Sequence, residues 1–409
     1  MISTCLMILG LATGTVADPT IQLDYLPPYT AINEALDSAP ELEAARNDLK
    51  LAEAEARLLR RGEHELTVGA SLDQRQIDRD GRFTEYSGQV SKGVRLPAKA
   101  RVDQALAGLT YTLAQNRLED ARHQLSLELA RRLTDVIDAR QQVRLAQNDV
   151  VTYQRDVSAM ERRVALKDAA RLDLEQLRSA LAKAQAQVDA ASGALQLAEA
   201  ALLSRFPSLI GKLQDYGAPS APVRPYEAWA DLMIERSHEL AIVRQEAERA
   251  RLKARRAGLD RVADPVVGAR LFSERGGLET GVGVFVSVPL GLNRREDVYQ
   301  ASLSSAASAE ARLRQAERDA RLMAQSDTID VQSRLSTWAS LSDASQAAKT
   351  AAETVEKGYR LGQISLSDAL NARRQAQEAE RASQRAAKDA HMALLKLYLD
   401  AHELWLNEE

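Results

Sequence analysis

The chain has 409 residues, with 54 basic and 58 acidic side chains giving a formal net charge of −4, and is only 4% aromatic. It lacks the large side chains that fill thick cores and is rich in Ala, Leu, Gln, Arg and Glu, the profile of long helices. Its charges are interspersed, and no basic stripe interleaves with aromatics, which argues against a nucleic-acid surface.

Residues 1–17 read as a secretory signal peptide, with an apolar run (Leu6, Met7, Ile8, Leu9, Leu11) before the small-x-small ending Thr15-Val16-Ala17. The usual positive start is missing. Cys5, the one cysteine, precedes most of the apolar run, so the rest of the chain forms no disulfide and no thiolate metal site. No other segment reaches the roughly 18–20 apolar residues of a spanning helix, so entry into a membrane would require a β-barrel.

Residues 18–206 are expected to form a first repeat. A helix over 28–62 leads to a β-hairpin at 64–96, a long helix at 98–164 and a helix at 170–205. The hairpin is signalled by Leu66, Val68, Ala70 and Leu72 alternating with Thr67, Gly69, Ser71 and Asp73, and by the turn residues Asp78-Arg79-Asp80-Gly81. Residues 98–206 contain no proline, which permits long helices. Val136, Ala139, Val143, Ala146, Val150, Tyr153, Val157, Met160 and Val164 alternate spacings of three and four, a coiled-coil seam. One helix over 98–164 would be about 100 Å long at ~1.5 Å per residue. Residues 207–225 read as a linker.

The same order then returns over 226–409: a helix at 226–258, a hairpin at 263–290, a long helix at 293–357 and a helix at 366–404. Val282, Val284, Val286 and Val288 alternate in the last strand, and Arg275-Gly276-Gly277 supplies the turn. Leu341, Ala344, Ala348, Ala351 and Val355 continue a seam in the second long helix. Glu41-Leu42 matches Glu239-Leu240, Gly69-Ala70 matches Gly268-Ala269, and Asp173 matches Asp368. Near-constant offsets of this kind indicate an internal tandem repeat. Four strands cannot close a barrel, and two open hairpins would leave edges exposed in lipid, so other subunits must complete the sheet.

Helix breaks are expected at Leu166-Lys167-Asp168-Ala169-Ala170 and at Lys357-Gly358-Tyr359-Arg360-Leu361-Gly362-Gln363-Ile364-Ser365. At these breaks the chain resembles the TolC-type outer-membrane efflux family. The resemblance is carried by Gly358-Tyr359-Arg360-Leu361-Gly362, Ser365, Asp368-Ala369-Leu370 and Ala372, echoed by Leu166 and Arg171-Leu172-Asp173-Leu174, and covers about residues 28–405. It implies a mixed α and β fold: a homotrimer with a twelve-stranded transmembrane β-barrel, four strands per chain, joined to a coiled-coil barrel of helices in the periplasm. It also implies partners, namely the outer-membrane lipid, a periplasmic membrane-fusion adaptor and an inner-membrane efflux pump. The heavy-metal cation branch is the most similar. The tips Leu166, Lys167, Arg360, Leu361 and Gly362 would contact the adaptor. Asp368, Asn371, Asp173 and Tyr359 would line the pore constriction, where a ring of carboxylates favours cations. Ile364 stands where the best-known relative has a basic latch residue, and Asn371 where some relatives have a second acid.

Plainer readings stand beside these. Ser365-x-x-Asp368 is also a capping box, Asp173 also lies in a first helical turn, and Tyr359 also suits packing. The five histidines show no metal-ligand spacing, and no paired carboxylates, nucleophile elbow or phosphate loop appear, so neither an enzyme nor a cofactor is expected. The rival function is a periplasmic coiled-coil adaptor, which would share the leader and heptads but not two lipid-length hairpins.

Overall fold

The computed structural model describes residues 21, 23–209 and 213–405, so the expected signal peptide at 1–17 lies outside the described residues. Among the described residues, eight α-helices and four strands follow in the order α1 (Tyr29–Asp37), α2 (Pro40–Arg61), β1 (Leu66–Ile77), β2 (Gly81–Gly93), α3 (Pro97–Ala165), α4 (Arg171–Leu203), α5 (Tyr226–Glu235), α6 (His238–Leu259), β3 (Val266–Glu274), β4 (Glu279–Ser287), α7 (Leu292–Arg360) and α8 (Leu366–Asp400). The fold is thus mostly helical with one small antiparallel sheet. Among the described residues, no helix is long and apolar enough to cross a membrane.

The long helices α3 and α7 have 69 residues each. Each begins where the chain leaves a strand, α3 with Pro97 in its first turn, where the missing N–H has no helical partner to lose. α3 packs against α4, and α7 against α8, as two helical hairpins. The seam on α3 is buried or half-buried from Val136 to Val164. On α7 the expected seam is displaced. Ala344 and Ala351 are exposed, while Leu341, Ser345, Ala348, Ala352, Val355 and Tyr359 turn inward. Leu341, Ala348 and Val355 belong to both patterns, and alanine and serine are too small for the sequence to say which flank meets a neighbour.

The single helices expected at 28–62 and 226–258 are each two. Ala39 adopts an extended ψ of 135° before Pro40, which cannot continue a helix and instead starts α2. In the second case Ser237 caps α6, its hydroxyl accepting from the Leu240 N–H at 3.1 Å.

The main core sits mid-molecule. It joins Ile32 and Leu36 of α1, Leu129 and Leu133 of α3, Leu202 of α4, Trp229 and Met233 of α5, and Leu395, Leu397 and Leu399 of α8. A second, smaller cluster lies toward the tips: Tyr153, Val157, Met160, Leu174, Leu177, Ala184 and Leu366, with Tyr359 and Leu370 packed on it.

The sheet is fastened to the helices by charge. Lys99, almost fully buried, places its ammonium 3.0 Å from both Asp260 and Asp264. Asp264 also accepts from the Leu96 N–H at 3.1 Å and meets His64 at 3.0 Å. Burial opposes its ionisation, but these three partners outweigh it and hold the carboxyl down at about 2. Arg95 donates to the Leu59 and Arg60 carbonyls, both at 2.7 Å, and to Asp103, which also receives Arg256 at 2.6 Å. The roots of both strand pairs are therefore tied to α2, α3 and α6 at one level.

Candidate functional site: helical tips and a two-faced sheet

The two helical tips share one backbone construction. At the first, Leu166 ends α3, Lys167 takes a left-handed φ of 63°, and the N–H groups of Lys167 and Asp168 return to Val164 and Arg163. At the second, Leu361 ends α7, Gly362 has φ 73°, and the N–H groups of Gly362 and Gln363 return to Tyr359 and Gly358. Both are Schellman closures, satisfying carbonyls the helix end would leave open. Lysine in the left-handed position at the first tip is the strained member, whereas glycine adopts it freely. Gly358 serves closeness: a Cβ there would collide with the Ile364 side chain folded back over it.

What these turns expose is apolar. Leu166 is 80% and Leu361 74% accessible, with the charged Lys167 and Arg360 beside them; Arg360 reaches Glu356 only at 4.0 Å. Exposed leucines at the end of a 69-residue helix serve no core of this chain.

The expected constriction residues lie just inside the tips, and their roles divide. The Ser365 hydroxyl accepts from the Asp368 N–H at 3.1 Å and bonds the Asp368 carboxylate at 2.7 Å, so the cap is formed. Asp368 and Asn371 remain exposed. Asp173 is half-buried in the first turn of α4. Tyr359 packs on the tip cluster, and its hydroxyl accepts from Arg163 at 3.4 Å. Burial raises that hydroxyl's pKa, with Asp173 and Glu356 adding to the effect against Arg163. Arg163 also holds Asp168 at 3.0 Å.

Above the tips runs a polar ladder that the sequence reading missed. Arg373 of α8 binds Asp156 of α3 and reaches Glu356 of α7 at 2.9 Å, with its guanidinium 5.3 Å from the Tyr153 ring centroid. Four residues on, Gln377 donates to Asp149 at 2.6 Å; after four more, Arg381 does so at 2.5 Å and reaches Gln187 of α4 at 3.0 Å. The signal was present as polar residues at 373, 377 and 381 on one helical face, opposite acids at 149 and 156. The apolar seams join α3 to α4 and α7 to α8, and this ladder joins the two pairs.

The sheet has strand order β1-β2-β3-β4, all antiparallel, leaving β1 and β4 as edges. Its register sorts the side chains. Val68, Val90, Ala269 and Val284 lie in one row, flanked by Leu66, Lys92, Val267 and Val286 on one side and by Ala70, Leu271 and Val282 on the other. Lys92 is the one charge in these rows. The opposite face carries Ser71, Ser87, Gln89 and Arg270, and near the turns Asp73 faces Glu85 and Glu274 faces Glu279. Arg75 bridges Glu85 and Glu274 at 3.3 and 3.5 Å. Two of the aromatic rings on this polar face sit where glycines make room. Phe272 lies over Gly281 and Phe285 over Gly268, each its cross-strand partner, where a Cβ would collide with the ring. Arg270 stands 5.1 Å from the Phe272 ring centroid.

Solved structures share this arrangement. The outer-membrane channel OprN superposes with a TM-score of 0.79 at 17% identity, covering 92% of this chain and 90% of its own. The outer-membrane protein VceC of Vibrio cholerae gives 0.76 at 17%, covering 91% and 95%, and the Campylobacter jejuni outer-membrane channel CmeC 0.76 at 12%, covering 93% and 86%. The fold is that of outer-membrane channels of the TolC type. No protein-family model and no curated protein matches the sequence.

Proposed function

We propose that this protein is the outer-membrane channel subunit of a tripartite efflux system, a passive conduit and not an enzyme. One observation carries the reading: a four-stranded sheet with one apolar face and two unpaired edges, rooted on paired helices of 69 residues. Unpaired edges cannot stand in hydrocarbon, so further copies would continue β4 into β1 until the barrel closes, at twelve strands in a trimer. The polar face with Arg270 and its carboxylates then lines the lumen. The matching tips, with Asp173 and Asp368 both three residues after the helix cap, support an origin by tandem duplication.

The tips are the proposed adaptor contact, through Leu166, Lys167, Arg360, Leu361 and Gly362. Asp368, Asn371, Asp173 and Tyr359 are the proposed constriction, and the pump beyond the adaptor delivers the cargo. Cations are the cargo class favoured by exposed carboxylates at the tips and by the acidic residues near the strand turns, in keeping with the heavy-metal branch. The helical hairpins belong to the periplasm. The adaptor reading is disfavoured by the sheet, for which a soluble coiled coil has no use. The test is fractionation of cells producing the full chain. Trimers extracted by detergent from the outer membrane are expected, and a soluble periplasmic monomer would overturn the proposal.

A further inference from the structure

Glycine weakens a strand interior, where it packs nothing and gives up the most freedom on folding. The polar face of β3 and β4 nonetheless carries Gly268, Gly281 and Gly283. None of the three has a positive φ, so the backbone does not require them. Two of them make room for a ring. A Cβ on Gly281 would collide with the Phe272 ring, whose atoms are its three nearest, with Cε1 at 2.6 Å. A Cβ on Gly268 would lie 2.5 Å from Cζ of Phe285. Side chains on a strand ordinarily stand roughly perpendicular to the sheet. Here the far end of each ring rests on the neighbouring strand instead. Both rings are half-buried, although no sheet residue belongs to either core cluster, so the sheet itself covers them.

The first hairpin repeats the arrangement. Gln89 of β2 lies over Gly69, its partner on β1, with Cγ and Nε2 each 3.3 Å from where a Cβ would stand. Gly69-Ala70 and Gly268-Ala269 hold matching places in the two halves, and each glycine takes the side chain of the following strand. We propose that these glycines set the calibre of the lumen, letting Gln89, Phe272 and Phe285 lie along the wall instead of projecting toward the pore axis. The inference rests on the channel reading, in which this face lines the pore. In a threefold lumen every such side chain occurs three times, so raising one ring narrows the passage from three sides at once.

Gly281 is the position that isolates the effect. The atoms a methyl group would strike there belong to the far end of one side chain, which relieves the clash by rotating off the wall. Its contact with Arg270, whose guanidinium lies 5.1 Å from the ring centroid, would be given up in the same movement. At Gly268 the Val90 carbonyl oxygen also stands in the way, 2.8 Å from a Cβ, so backbone would have to shift as well. Gly283, between them on β4, would place a Cβ in open space and provides the control.

Thiol labelling of the full chain in intact cells tests the proposal, with Ser91→Cys as the target and the unsubstituted chain as blank. Ser91 shares the polar face and pairs with Gly268, farther from the strand turns than the row of Phe272 and Gly281. A small maleimide and a bulky, polymer-linked one are added from outside and their rates compared. Adding Gly281→Ala is expected to slow the bulky reagent severalfold and to leave the small one unchanged. Gly283→Ala should slow neither, and Phe272→Ala combined with Gly281→Ala should restore the bulky rate. Unchanged labelling in Gly281→Ala, with or without a lower yield, would overturn the proposal, as would equal slowing by Gly283→Ala or no rescue by Phe272→Ala. Should Gly281→Ala fail to assemble, Phe272→Ala alone decides: removing a ring that lies on the wall leaves the bulky rate unchanged, and a faster rate would show that the ring already obstructs the lumen. If the small maleimide does not reach Ser91→Cys in an assembled chain, this face lines no open pore, which overturns the channel reading and the inference with it.

Discussion

In the helical body Leu129, Leu133, Leu395 and Leu399 have no accessible surface, whereas in the sheet Val282, Val284 and Val286 stand clear of the chain, Val284 at 88%. The same kinds of residue are thus inside one region and outside the other. Water drives the first arrangement, since burying a leucine or valine is worth roughly 1.5–3 kcal/mol. It cannot drive the second within a single chain. The sheet keeps a strict register, one apolar and one mostly polar face and cross-strand aromatic packing over glycine, yet it packs no core. In the proposed barrel that apolar face meets hydrocarbon, so substitutions in the two regions should respond differently.

The largest effect is expected in the body. Leu133→Ala removes a fully buried side chain from the main core and should lower stability by about 2–5 kcal/mol, measured by denaturant unfolding of the detergent-extracted protein. A loss under 1 kcal/mol would mean that the core is loosely packed. Val284→Arg is next, at about 2–4 kcal/mol if the side chain faces hydrocarbon near mid-membrane, read as reduced assembly and yield in the outer membrane. In water an exposed valine is replaced at little cost, so unchanged assembly would break the comparison and the barrel with it.

Smaller still is the thermodynamic effect at the tips. Leu361→Asp alters a 74% exposed side chain and should shift stability within about ±0.5 kcal/mol while abolishing efflux in a complementation assay. Normal efflux would show that the exposed leucines are not the adaptor contact. The smallest effect on the fold belongs to Asp368→Asn, because asparagine also serves at a helix N-terminus. Reconstituted channels are nevertheless expected to lose part of their cation selectivity and of their block by divalent cations. If both persist unchanged, Asp368 is a cap alone, the role its bonds with Ser365 already show.

The sequence by itself determined the alternation of strands and long helices, since strand and helix periods of two and about 3.6 are written in consecutive residues. Ser365 before Asp368 likewise made the cap legible, because capping is a local bond. Other features depended on partners far away in the chain. Which flank of α7 turns inward was undecided among alanines and serines until α8 packed against it. The Arg373–Gln377–Arg381 ladder needed α3, more than 200 residues earlier, to supply Asp149 and Asp156. The meeting of Phe272 with Gly281 and of Phe285 with Gly268 came only with the register of β3 on β4, because cross-strand contacts belong to the paired sheet and not to either strand alone.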